Sequence, residues 1–133
     1  MAAQYDIHSK RIYDKPDEGD GFRILVDRLW PRGISKQEAR IDLWMKDIAP
    51  SDDLRKWFAH DPAKWTAFSG KYRAELERKK ELAVEIIEIV RSHKRVTLLY
   101  AASDKEHNNA VVLLQALKIG LSSTSRGGGV RQS

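Results

Sequence analysis

The sequence predicts an α/β fold, a single three-layer domain with a mainly parallel sheet flanked by helices. Three observations carry that expectation. The runs Phe22-Arg23-Ile24-Leu25-Val26-Asp27 and Val96-Thr97-Leu98-Leu99-Tyr100-Ala101 are apolar without strict alternation, as in strands covered on both faces. Stretches of helical periodicity separate the strand-like runs. The length of 133 residues fits one domain. A domain of that size buries roughly two thirds of the surface its unfolded chain exposes.

Residues 7–13 read as the first strand. Residues 14–21 are acidic and broken by Pro16, Gly19 and Gly21, so they turn. The second strand spans 22–27, and a loop with Pro31 and Gly33 follows. Ser35 and Glu38 have the S-x-x-E spacing of a capping box, which starts a short helix. Residues 41–48 alternate apolar and polar, the pattern of a half-exposed strand. Ser51 caps another short helix, with Asp52 and Asp53 favourable at its positive end.

Asp61-Pro62 opens the longest helical region. Trp65, Phe68, Tyr72, Leu76, Ala83, Ile86, Ile87 and Val90 recur there at helical spacing, with a break expected near Lys79 and Lys80. Residues 96–101 form the last strand. Ser103 and Glu106 repeat the capping-box spacing ahead of an apolar helix through Leu121. The folded domain is thus expected over 1–121. Residues 122–133, rich in Ser, Gly and Arg, are expected to be a flexible tail. No internal repeat is visible. Trp44, Trp57 and Trp65 sit on regular apolar spacing and are expected in the core. Arg78-Lys79-Lys80 is expected to be a solvated helix face.

Hydrophobic residues at 41% and charged residues at 32% set the chain apart from disordered compositions. The absence of cysteine excludes disulfides, thiolate metal sites, iron–sulfur clusters and cysteine nucleophiles. No run approaches the ~18 apolar residues of a membrane span. Residues 1–10 lack the apolar core of a signal peptide, so a cytoplasmic location without membrane association is expected. The formal charge of +5 and pI of about 9.5 favour phosphate-bearing partners. Gly-rich phosphate loops of the P-loop or dinucleotide type are missing, and so is the G-x-S-x-G elbow.

Three constellations carry candidate chemistry. Asp27, Arg28, Trp30 and Arg32 follow the second strand, with Pro31 stiffening the loop. Two guanidiniums there offer planar forks of donors to a phosphate or carboxylate, and the indole offers a stacking surface. The plainer alternative pairs Arg28 with Asp27 or another acid and buries Trp30 beside the turn. His60-Asp61 is either a base oriented by an acid or a loop residue before a helix cap. Asp104, His107 and Asn108 follow the last strand, where ligands bind in open α/β sheets. His60, Asp104 and His107 are the catalytic candidates. Two candidate ligands, Asp104 and His107, are too few to assign a metal site, and the sequence leaves any cofactor unknown.

Several of these segments carry a family resemblance. Val26-Asp27-Arg28-Leu29-Trp30-Pro31-Arg32-Gly33, Ala49-Pro50-Ser51 with Leu54-Arg55, Trp57-Phe58-Ala59-His60-Asp61-Pro62 and Thr97-Leu98-Leu99-Tyr100-Ala101-Ala102 with Asp104, His107, Asn108 and Ala110 together resemble the DUF488 family in its YeaO-like branch. The resemblance spans about residues 7–121. It implies a compact three-layer α/β fold and supplies no reaction. Other branches carry a cysteine motif beyond the last strand. Here that place reads Ala101-Ala102-Ser103-Asp104, so thiol or metal chemistry built on those cysteines does not transfer.

The residues support a first reading as a protein that binds a small anionic ligand, nucleotide-like or phosphorylated, in an Arg/His pocket at strand C-termini, with turnover left open. Arg28, Arg32, Asp104 and His107 would form that pocket. The alternatives are a nucleic-acid-associated module, suggested by the charge and the Arg-containing tail, and a non-catalytic protein-interaction domain. Lys and Arg are interleaved with acids along the chain, which favours the small ligand.

Overall fold

The computed structural model describes residues 5–126, with side chains described through Leu121. Four strands form one sheet: β1 (Asp6–Arg11), β2 (Phe22–Leu25), β3 (Leu43–Trp44) and β4 (Arg95–Tyr100). Their order is β1-β4-β2-β3, and every pairing is parallel. The helices are α1 (Lys36–Ala39), α2 (Asp52–Phe58), α3 (Trp65–Glu77), α4 (Lys80–His93) and α5 (Asn109–Arg126). The chain is therefore the single α/β domain that the apolar runs predict.

β4 lies between β1 and β2, and Val96 through Tyr100 are all buried. Its side chains divide between two apolar clusters. Val96, Leu98 and Tyr100 join Ile24 and Val26 under α2–α5, where Phe58, Phe68, Tyr72, Ile86, Val90, Leu113 and Leu117 pack. Leu25 and Leu99 face the other way, against Ile12, Ala39, Trp30, Ile34 and Trp44. The two covers are unequal: long helices on one face, a loop and the single turn of α1 on the other.

Ser35 and Glu38 form the expected capping box at α1. Ser51 caps α2 through the N–H of Leu54. Asp61 caps a 3-10 turn at Pro62–Lys64, and α3 follows directly. The long helical region does divide, between Glu77 and Lys80.

Four expectations need correction. The strand predicted over 41–48 pairs only at Leu43–Trp44 and then winds into a 3-10 turn at Lys46–Ile48. Its exposure is mixed, as the alternation predicts: Asp42, Lys46 and Asp47 are exposed, Leu43, Met45 and Ile48 pack with the larger cluster, and Ile41 and Trp44 pack with the smaller. The capping box expected at Ser103 does not form. Asp104 Oδ1 takes the N–H groups of Glu106 and His107, and the helix starts later, with Asn108 Oδ1 accepting the N–H of Val111. Trp57 is 39% exposed, with Lys64 and Lys71 against its ring. Lys79 is not simply solvated, because its ammonium donates to the carbonyls of Asp47 and Ala49. The backbone of α5 is helical through Arg126, and the rest of the expected tail, 127–133, lies outside the described residues. No helix among the described residues is long and apolar enough to cross a membrane.

Candidate functional site

Parallel strands end on one edge of a sheet. The registers Arg11↔Tyr100 and Leu25↔Leu99 align the ends of β1, β4 and β2 there. The segments leaving those ends, with the loop before α2 and the turn after it, enclose a cavity of about 750 Å³. That volume is within the range of small-molecule sites, roughly 300–1,000 Å³. Arg11, Arg28, Arg32, Arg55, Lys56 and His60 line it, and among the described residues Asp27 is the one acid in its wall. Phe58 and Phe68 supply apolar floor.

Arg28 does not pair with Asp27. Its Nε donates to Pro50 O at 3.1 Å and its Nη2 to Ala49 O at 3.4 Å. Arg11 is held the same way, with Nε on Ala102 O at 2.8 Å and Nη2 on Ala101 O at 3.2 Å. The ion pairs of the described residues involve other groups, so backbone carbonyls fix these two guanidiniums and leave their charge without a carboxylate. The Arg32 side chain is exposed, and its carbonyl accepts the Tyr13 hydroxyl at 2.8 Å. Trp30 lines the cavity but is also anchored in the wall. Its Nε1 donates to Ile34 O at 2.8 Å, and its ring meets Trp44 edge-on at 5.4 Å.

The Asp27 carboxyl is perturbed by its place in the wall. Burial pushes it above the ordinary value, against the lowering effects of the Ala101 N–H, the Asn109 amide and His60. The sign of the consequence is definite. A carboxyl raised in the fold stabilises fully below its unfolded pKa, about 3.9, and that stabilisation is lost as pH rises through the folded value. Asp27→Asn keeps an acceptor for Ala101 and removes the buried charge. Its melting temperature is expected to exceed wild type at neutral pH and to converge with it in acid. A gain of equal size at pH 4 and pH 8 would assign the effect to packing instead.

His60 lines the cavity in a left-handed conformation (φ 57°), directly after Ala59 (φ 47°). The Asp61 carboxylate acts as a cap, accepting the Ala63 N–H at 3.0 Å, and no hydrogen bond joins it to His60 among the described residues. Asp104 and His107 do not line the cavity. Asp104 Oδ2 meets His107 Nδ1 at 2.9 Å, and the imidazole packs edge-on to Trp65 at 5.1 Å. The N–H groups and the imidazole hold the Asp104 carboxyl below its usual value. These contacts build the turn ahead of α5. Asn108 reaches the wall, but its amide is engaged: Nδ2 donates to Asp104 O and Oδ1 caps α5. Among the described residues, no group of three His, Cys, Asp or Glu side chains could hold a metal ion.

Arg11, Arg55 and Lys56 complete the cationic wall; none was a site candidate, and Arg55 entered the sequence reading only within a segment of the family resemblance. Arg11 ends a strand whose partner is far along the chain, and only its terminal position gives a hint. Arg55 and Lys56 read as the exposed face of a short helix, both within reach of Asp52.

Comparison with known proteins agrees with the motifs. Residues 6–133 match the model described as the inactive DUF488-N3 subclade. The uncharacterized protein YeaO of Escherichia coli strain K12 is 41% identical over 113 residues, covering 85% of this chain and 97% of that protein. The uncharacterized protein Rv3073c of Mycobacterium tuberculosis strain H37Rv is 37% identical over 117 residues, covering 88% and 98%. No solved structure matches. The match covers the octapeptide 26–33 and the segments around Trp57 and Tyr100, and the chain belongs to the DUF488 family, in its inactive N3 subclade.

Proposed function

We propose that the protein binds a small anionic ligand, nucleotide-like or phosphorylated, in the cavity at the ends of β1, β2 and β4. One observation carries this reading. Arg11 and Arg28 are fixed on backbone carbonyls in a cavity wall whose single carboxyl, Asp27, is itself pushed toward its neutral form. Arginines that serve only the fold are commonly neutralised, as Arg23 is by Asp20. Guanidiniums held rigid yet uncompensated suit an incoming oxyanion, because little side-chain freedom remains to be lost on binding. The subclade's description as inactive supports binding without turnover. So does the occupation of Asp61 and Asp104 in caps and turns. The pocket of this proposal is therefore Arg11, Arg28 and Arg32, with His60 and Trp30 in the wall, rather than one centred on Asp104 and His107.

A thermal-shift screen against nucleotides, sugar phosphates, inorganic anions and divalent metals tests it. A ligand at about 100 times its Kd adds roughly 2.7 kcal/mol, which is on the order of 10 °C in a domain of this size. Arg32→Ala is the variant to run beside wild type, since the exposed Arg32 side chain forms no hydrogen bond or ion pair within the described protein. Its melting temperature without ligand is expected to equal that of wild type, and the ligand-induced shift is expected to shrink. Absence of any shift in folded wild type would reject the reading. The nucleic-acid alternative rests on Trp57, exposed and flanked by Lys64 and Lys71 beside the cavity residue Lys56. It requires binding that weakens steeply with salt.

A further inference from the structure

Arg55 lines the cavity, and one of its side-chain nitrogens is left unsatisfied by the described fold. Arg55 Nη2 donates to Asp52 Oδ1 at 2.6 Å, an exposed pair within α2. Its Nε is shielded from solvent and has no hydrogen-bond partner among the described residues. Roughly nine in ten or more buried polar groups find a partner, so such an orphan calls for an explanation. The carbonyls that anchor Arg28 lie just ahead of α2, a few residues before Arg55. They belong to Ala49 and Pro50, and the next residue, Ser51, accepts the backbone N–H of Arg55. Both arginines line the cavity.

From this we propose that Arg55 contacts the ligand directly, its Nε–H closing with Arg28 on a phosphoryl-type oxyanion. The proposal rests on the anion-binding reading above and adds a donor which that reading does not need. A tetrahedral oxyanion has acceptors enough for two guanidiniums and satisfies the orphan donor. The Asp52 pair holds Arg55 in place while the cavity is empty. An exposed pair of this kind contributes little, so it does not oppose reorientation toward the ligand. The oxyanion is either a free ion or the end of a larger phosphomonoester, which present the same oxygens.

Calorimetric titration of wild type, Arg55→Lys and Asp52→Asn with inorganic phosphate, ribose 5-phosphate and AMP decides it. Arg55→Lys keeps the charge and loses the Nε–H, and its affinity is expected to fall by on the order of tenfold. Asp52→Asn is expected to bind as well as wild type or better. The Arg55 Nε–H resonance, assigned by its absence from Arg55→Lys, is expected to shift when the oxyanion is added to wild type. Equal affinity for phosphate and AMP identifies a free ion, and tighter AMP binding identifies the ester. Equal affinity of wild type and folded Arg55→Lys overturns this proposal and leaves the anion-binding reading standing. An equal loss in Asp52→Asn also overturns it, because Arg55 would then act only through its ion pair. No binding of any of the three by wild type overturns both.

Discussion

Asp20→Ala is expected to cost about 3–5 kcal/mol of folding stability, the range for removing one partner of a buried ion pair. Asp20 and Arg23 are each 4% exposed. The Asp20 carboxylate accepts Lys10 Nζ at 3.0 and 3.1 Å, the Asp17 N–H at 3.0 Å and Arg23 Nη1. Arg23 also donates to Ala39 O and Arg40 O, which ties the start of β2 to the end of α1. Without Asp20, a buried guanidinium keeps two carbonyls and loses its counter-charge. The loss is a large share of the roughly 5–15 kcal/mol that holds a small domain together. Asp20→Asn, which retains an acceptor, is therefore the milder second variant. Burial raises the Asp20 carboxyl, but the hydrogen bonds from Lys10, Asp17 and Arg23 outweigh it and hold the group below its ordinary value. A carboxyl lowered in the fold stabilises above its unfolded pKa, about 3.9, and this contribution is lost as pH falls through the lower folded value. Urea unfolding at several pH values should show the gap between wild type and variant widest near neutrality and closing only in strong acid. A gap that does not change with pH would mean that Asp20 acts through packing alone.

The two S-x-x-E sites show where local reading of the sequence works and where it stops. Ser35 and Glu38 form their box, each side chain taking the other's backbone N–H. Ser103 and Glu106 have the same spacing, but Asp104 stands beside Ser103 and takes the first N–H groups itself. β2 and β4 were legible because strands buried on both faces need unbroken apolar runs. β3 is shorter than the alternation over 41–48 suggests because the chain winds into a 3-10 turn at Lys46–Ile48, although Asp42, Lys46 and Asp47 keep the exposed side that the pattern predicts. The candidate site divides in the same way. Arg28 and Arg32 announce themselves as two guanidiniums in one short loop after a strand. Arg11 and Arg55 each look ordinary where they stand. The order β1-β4-β2 and the packing of α2 beside the strand ends bring them to the same cavity, and a single sequence does not encode that order locally. Asp104 and His107 stand where ligands usually bind, after the last strand, but the Asp104 carboxylate and His107 Nδ1 meet each other in the turn ahead of α5 and neither residue lines this cavity.

Gly21→Ala is the second large effect, and a comparison with Gly33→Ala separates its causes. Both glycines have positive φ, 66° and 74°. A Cβ on Gly33 would meet nothing within 4 Å, so its replacement carries only the backbone preference, roughly 1–2 kcal/mol. Gly21 combines φ 66° with ψ −139°, close to a region that is essentially reserved for glycine. A Cβ there would also fall 2.2 Å from the carbonyl oxygen of Arg95, at the start of the central strand. That atom is backbone and has no rotamer to move into. Either β2 or β4 must shift, and the combined cost is expected to be about 3–5 kcal/mol. The shift reaches the cavity. Gly21 immediately precedes β2, whose register Phe22↔Val96 through Leu25↔Leu99 sets where Asp27 and Arg28 emerge. Gly21→Ala should therefore lose stability and, in whatever fraction remains folded, lose the amide resonance positions of residues 26–28 as well. Gly33→Ala should move only its own neighbours. Similar melting temperatures for the two variants would show that the close approach to Arg95 relaxes without strain.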